Sequence, residues 1–308
     1  MKRRYFKISE EVETAWHEQR AIVALESTII AHGMPFPENI ATARRLEAVV
    51  REAGAVPATL AVLNGNIMVG LSDDELGILA TARDVMKLSR RDLAWAVAHK
   101  KSGATTVAAT MMIAADAEID LFATGGIGGV HRGAELNWDV SADLVELART
   151  PVNVVSAGPK AILDLPATLE YLETLGVPVV GYQTNELPAF YSRTAHLPLE
   201  LHAHSAAELA QFIFTRQELA STGGVLIANP IPEAHEIAFE QMEVHIEAAL
   251  AVAREHQITG KRLTPFLLEQ VRQRTQGQSL AANIALVANN ARVAAEIAVA
   301  LAAQKARG

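Results

Sequence analysis

Short apolar runs rich in β-branched residues recur along this chain, and amphipathic stretches at helical spacing separate them. The runs are residues 21–25 (Ala-Ile-Val-Ala-Leu), 58–63, 105–110, 121–124, 152–156, 179–182 and 224–228. Most are apolar throughout, the pattern of strands buried on both faces of a parallel sheet. Between them, residues 40–53 carry apolar side chains at helical spacing and stop before Gly54, while Ser72-x-x-Glu75 and Ser205-x-x-Glu208 are capping-box patterns that open two more helices. Strands alternating with helices predict an α/β fold, a three-layer α/β/α sandwich around a mostly parallel central sheet. Asn64-Gly65 between apolar runs signals a hairpin and thus a small β excursion, with a plain turn as the simpler reading of that segment. From Glu233 onward the strand-like runs cease, which predicts a helical C-terminal portion ending in an Ala-rich helix. No low-complexity linker divides the chain, so residues 1–308 read as a single domain.

Half of the residues are hydrophobic and a fifth charged, enough apolar material for a packed core and too much for a disordered chain. A net charge of −8 argues against a nucleic-acid surface, which needs a basic face. The chain has no cysteine, so disulfides, thiolate metal sites and Cys nucleophiles are excluded, in keeping with a reducing cytoplasm. Lys2, Arg3 and Arg4 are followed by Glu10, Glu11 and Glu13 where an export signal needs its apolar core. No uninterrupted apolar stretch of about 18 residues occurs, so no membrane span is expected.

Glu26 ends the first apolar run, and the carboxyl ends of strands in open α/β sheets are where ligands bind. An ionisable group there needs a partner or a chemical role; a carboxylate that simply pairs with a nearby cation is the plain alternative. Lys160 follows Ser156-Ala157-Gly158-Pro159 and is expected in the first turn of a helix, where dipole and burial disfavour an ammonium and favour a nucleophilic amine. An exposed lysine lying over the sheet edge is the alternative. Gly125, Gly126, Gly128 and Gly129 supply four glycines in five residues, a backbone that can approach an anion closely, or else a tight structural turn. Ser141 reads as the N-cap of a helix from Ala142, so its hydroxyl and the following amides suit a phosphate. Asp139 beside it suits a hard cation with mostly water ligands, or is a turn carboxylate. Lys87 and His131 are isolated candidates for phosphate contact. Asn283 lies on the apolar face of a helix, where its amide must find either a neighbour or a ligand with paired donor and acceptor edges, such as a uracil.

Taken together and in order, residues 26–35 (ESTIIAHGMP), 124–131 (TGGIGGVH), 139–144 (DVSADL), 156–160 (SAGPK) and 279–283 (SLAAN) resemble the pseudouridine-5'-phosphate glycosidase family, also called the indigoidine synthase A family. The likeness runs from about residue 8 to residue 294. It implies reversible cleavage of the carbon-carbon glycosidic bond of pseudouridine 5'-phosphate, with water, to uracil and ribose 5-phosphate. It further implies that Lys160 attacks the sugar C1' and Glu26 protonates the ring oxygen, giving a lysine-bound open-chain sugar that loses uracil and is then hydrolysed. Asp139 matches the position of a Mn²⁺ ligand. Lys87, Val107 (through its backbone), Thr124, His131, Ser141, Ala142, Asp143 and Asn283 match substrate-binding positions. A homotrimer is implied as well. Two other classes compete: a Schiff-base aldolase acting on a sugar phosphate, expected as an eight-stranded barrel, and a non-enzymatic sugar-phosphate or nucleotide-binding protein.

Overall fold

The computed structural model describes residues 3–307. Its strands are β1 (Phe6–Ile8), β2 (Ile22–Leu25), β3 (Val56–Leu63), β4 (Asn66–Val69), β5 (Met86–Leu88), β6 (Gly103–Thr105), β7 (Leu121–Ala123), β8 (Val130–His131), β9 (Asn153–Ser156), β10 (Leu163–Asp164), β11 (Val179–Tyr182), β12 (Leu201–Ala203) and β13 (Leu226–Ala228). The main sheet runs β1-β4-β3-β2-β7-β9-β13-β11-β12, with β6 attached to β3 and β5 to β6, and every neighbouring pair from β3 to β12 along this path is parallel. This is the open, mostly parallel sheet expected, and it does not close into the barrel that the aldolase reading required.

Alternation along the strands divides the core into two faces. Val23 and Leu25 of β2, with Leu121 and Ala123 of β7, join a cluster built by helices Glu38–Glu52, Ala206–Glu218, Phe239–Glu255 and Gln278–Lys305. Ile22, Ala24 and Phe122 point the other way, into a cluster with helices Glu10–His17, Arg90–Ala98, Val107–Asp116, Ala142–Arg149 and Leu165–Thr174. Both faces being dry, β2 and β3 are buried at every position. The Ala-rich helix Gln278–Lys305 is long and apolar enough to cross a bilayer, yet 61% of its apolar window is buried within the fold. Small alanine side chains let this 28-residue rod lie close on β2, β7 and β9.

Local signals are realised with some differences. Asn64 (φ +50°) and Gly65 (φ +77°) form a two-residue left-handed turn between antiparallel β3 and β4, so the hairpin prevails over a plain turn. Ser72 and Glu75 complete a capping box for helix Asp73–Thr81. Ser205 accepts from Glu208 N, but Glu208 Oε2 accepts from His204 N, one residue earlier than the reciprocal pattern. Two expectations are corrected. Residues 105–110 are not one strand: β6 ends at Thr105, Thr106 caps, and helix Val107–Asp116 follows. A run buried on all sides carries no period to separate strand from helix. Lys160 does not open a helix either. It sits in a turn, and the next helix begins at Leu165, capped by Asp164, whose Oδ1 accepts from Ala167 N at 3.0 Å. The helix-dipole argument for this lysine therefore lapses.

Candidate active site

The chain leaves β2 for β3 on one side, whereas β7 and β9 lie on the other. The C-terminal ends of β2 and β7 thus form a topological switch point, where open α/β sheets hold their ligands. A cavity of about 570 Å³ opens there.

Glu26 is the first residue after β2 and Thr124 the first after β7. Thr124 Oγ1 donates to Glu26 Oε1 at 2.5 Å. Neighbouring hydroxyls fix the backbone on which Glu26 rides: Ser27 Oγ donates to Leu60 O (2.6 Å) and accepts from Thr105 N (2.9 Å), and Thr28 Oγ1 donates to Thr105 O (2.7 Å). A single π-helical turn, Ile29–Gly33, follows, a geometry often found at functional sites. From the long C-terminal helix, Asn290 Nδ2 donates to Thr124 O at 2.8 Å, while its Oδ1 accepts from Asn229 Nδ2 at 2.8 Å. Burial pushes the Glu26 carboxyl above the ordinary carboxylate range; Lys160, the Thr124 hydrogen bond and Lys87 pull the other way, and Asp143 adds to the rise.

Lys160, in the turn after β9, lines the same cavity as Glu26 and acts on its charge, and its Nζ donates to Gly126 O. That carbonyl belongs to the glycine loop. A Cβ at Gly126 would lie 2.5 Å from Phe190 Cδ2, and one at Gly128 would lie 2.3 Å from Ser141 Oγ, so side chains there would push the loop off its neighbours. The small β8–β10 ribbon sets His131 beside Leu163 and so carries it to the Lys160 turn. Arg132 braces the same turn, donating to Ala161 O and Leu163 O and pairing with Glu243 and Glu247 of helix Phe239–Glu255.

The helices starting at Val107 and Ala142 both begin at the cavity wall. Ser141 caps the second, its Oγ accepting from Asp143 N at 3.2 Å. The buried Asp143 carboxylate accepts from Ala108 N (3.0 Å) and Gly128 N (2.8 Å), which ties one helix start to the glycine loop. Lys87, at β5, gives the cavity a cationic side. His131 is held below the usual imidazole range by burial, opposed by Asp139 and reinforced by Lys160 and Lys87. The Asp139 backbone N–H donates to Asn137 Oδ1, and its residue lines the cavity. Among the described residues no three His, Asp or Glu side chains converge. Asp139 therefore fits a cation held through one carboxylate and water, and not an enclosed cage.

The residues singled out in the sequence border this cavity except Gly129 and Thr124, the latter fully buried with its hydroxyl committed to Glu26. Asn283 borders it with an Oδ1 that is buried and has no partner. Sequence reasoning missed His32, Ser89, Arg91, Phe190, Thr264, Pro265 and Leu268, which also line it. His32 lay in plain view six residues after Glu26. Phe190, Thr264, Pro265 and Leu268 arrive by tertiary packing and carry no local sign.

Comparison with known proteins agrees with this architecture. Residues 11–300 match the model of the indigoidine synthase A like protein family. The pseudouridine-5'-phosphate glycosidase of Geobacillus kaustophilus is 58% identical over 294 residues, covering 96% of this chain and 98% of that protein. The pseudouridine-5'-phosphate glycosidase of Caldanaerobacter subterraneus is 55% identical over 298 residues, covering 97% of each. Among solved structures, the prealnumycin C-glycosynthase AlnA in complex with ribulose 5-phosphate superposes with a TM-score of 0.92 at 38% identity, covering 99% of both chains. An indigoidine synthase A-like protein from Thermotoga maritima gives 0.89 at 34% identity and 98% coverage of both. With its sheet order, its switch-point cavity and matches of this length, the chain belongs to the indigoidine synthase A family.

Proposed function

We propose that this protein is a pseudouridine-5'-phosphate glycosidase that cleaves the C1'–C5 bond of its substrate to give uracil and ribose 5-phosphate. The observation that carries this reading is the opposition of Lys160 and a burial-raised Glu26 carboxyl in one cavity, in a chain more than half identical to glycosidases of that name. A carbon leaving group has no oxygen lone pair to protonate, so the usual pair of glycosidase carboxylates does not suffice. Lys160 Nζ bonds to C1' as the C1'–O4' bond breaks, and protonated Glu26 delivers its proton to O4'. The nitrogen lone pair then expels uracil, whose C5 takes a proton as the C1'–C5 bond breaks, leaving an imine on Lys160. Water adds to the imine and releases ribose 5-phosphate. Glu26, now ionised, serves as base in the later proton transfers. Thr124 holds Glu26 in place and Gly126 O holds the amine before attack.

Lys87 and the helix starts at Val107 and Ala142 are the phosphate-binding elements of this reading. Asp139 would hold the divalent ion, Mn²⁺ in the resemblance, which would offset phosphate charge. The homotrimer belongs to the same reading, supported by the outward Leu136 and Trp138 beside Asp139, which are 86% and 85% exposed; light scattering tests it. The decisive experiment is uracil release from pseudouridine 5'-phosphate with Mn²⁺, repeated with Lys160→Ala and Glu26→Ala. Release by the parent protein alone is expected; no release from folded, metal-loaded parent protein would overturn the proposal.

A further inference from the structure

Hydrogen-bonding capacity left unmet inside a protein is uncommon and costs stability, so where it occurs beside a cavity it describes the missing partner. Two such atoms lie together here: His32 Nε2 and Asn283 Oδ1, both buried and both without a partner. Their residues border the main cavity and also the adjoining cleft of about 290 Å³, so they stand in the partition between the two. Both atoms are shielded from solvent, so a base reaches them only as the side chains around them shift to admit its ring. Phe190, Pro265 and Leu268 give the same region flat apolar walls suited to a planar ring.

The two atoms differ in origin but agree in character. Asn283 Oδ1 is an acceptor. The imidazole of His32 is held below its ordinary range, first by burial and then by Lys87, so it is neutral at pH 7 and keeps one nitrogen lone pair. The backbone carbonyls of Met86 and Val85 favour a proton on the ring. With Nε2 unpartnered, placing that proton on Nδ1 leaves the Nε2 lone pair for a ligand. A base joined to its sugar through C5 carries two ring N–H donors, N1–H and N3–H; one joined through N1 carries only N3–H. Resting on the glycosidase reading above, we propose that His32 Nε2 and Asn283 Oδ1 are an acceptor pair that reads both ring N–H groups of the base, making His32 a residue that selects C-linked over N-linked pyrimidine nucleotides. A site whose buried acceptors expect an N–H discriminates strongly against a ligand lacking it, because the acceptor is then left unpaired.

The test measures kcat/KM for pseudouridine 5'-phosphate and for its N1-methyl and N3-methyl derivatives, in the parent protein and in His32→Phe and His32→Gln. Phenylalanine keeps a ring of similar size without the lone pair, and glutamine restores an acceptor. Borohydride trapping of ribose 5-phosphate on Lys160 reports, without any base present, that the sugar half of the site is intact. Each methylation is expected to lower kcat/KM by roughly 100-fold in the parent. His32→Phe should lower the unmethylated substrate by a factor of about 10–100 and abolish the penalty of one methylation, with trapping unchanged and His32→Gln partly restored. Equal turnover of all three nucleotides by the parent, or a His32→Phe protein that retains both penalties, would overturn the acceptor pair while leaving the glycosidase reading intact. A parent protein inactive on pseudouridine 5'-phosphate itself would instead overturn the reading on which the pair rests.

Discussion

Replacing Thr124 by valine removes one hydroxyl from the Glu26 carboxylate and keeps the side chain's shape. The bond at stake is a 2.5 Å donation from a fully buried threonine to an acceptor surrounded by protein. Hydrogen bonds to charged groups contribute about 1.5–3 kcal/mol, and this one stabilises only the ionised form of Glu26. Its loss therefore raises further a carboxyl that burial already lifts. The sign follows from the role of Glu26. Activity needs the protonated acid, so it falls as pH rises through the carboxyl's pKa, and a higher pKa moves this falling limb to higher pH. The assay is kcat/KM for uracil release between pH 4 and 9 in the parent, Thr124→Val and Thr124→Ser. The limb of the valine variant should lie above that of the parent, and serine, which keeps the hydroxyl, should return it. A valine limb that coincides with the parent's, or lies below it, would refute the view that this hydrogen bond sets the acid.

Asp143→Asn leaves one oxygen to serve two backbone N–H groups and turns an amide toward the other, so unfolding free energy should drop by about 1–3 kcal/mol, read by denaturant titration. Loss of its charge should also lower the Glu26 carboxyl and bring the falling limb to lower pH, opposite to Thr124→Val. Asp139→Asn should weaken Mn²⁺ binding at least tenfold by calorimetry, since it removes the charge from the one carboxylate offered to the ion. Unchanged affinity would place the ion elsewhere.

Much of this architecture was written locally, and the failures share a cause. Buried strands and the helix over residues 38–52 announce themselves because burial on two faces, or on one stripe, leaves a period in the sequence. Glu26 could be placed at a strand end for the same reason. The segment after Thr105 could not, because Val107, Ala108 and Ala109 are buried from all sides and have no period to show. Gly-Pro followed by apolar residues resembles a helix start and so points Lys160 to a helix; the chain instead makes a turn and pairs β10 with β8 before Leu165 begins the helix. Thr124 matches a ligand-contact position in the resemblance, and its hydrogen bond to Glu26 across the β2–β7 seam is visible only in three dimensions. The unmet acceptors at His32 and Asn283 are visible only when every neighbour is in place.

The positions of Glu26, Thr124 and Lys160 trace back to β2, β7 and β9, three consecutive ribs of the sheet. Ribs in a sheet are spaced about 4.7–4.9 Å, so acid and nucleophile are anchored roughly two intervals, about 9–10 Å, apart, leaving their side chains to close on a sugar ring between them. That interval behaves as a ruler with fixed graduations. Slipping a rib by one residue would reverse every side chain along it, so the spacing changes only by a step too costly to survive. The loops above these ribs are under no such constraint. A lineage that keeps this fold can therefore exchange one base for another at the rim while inheriting the distance over which carbon-carbon bonds are broken.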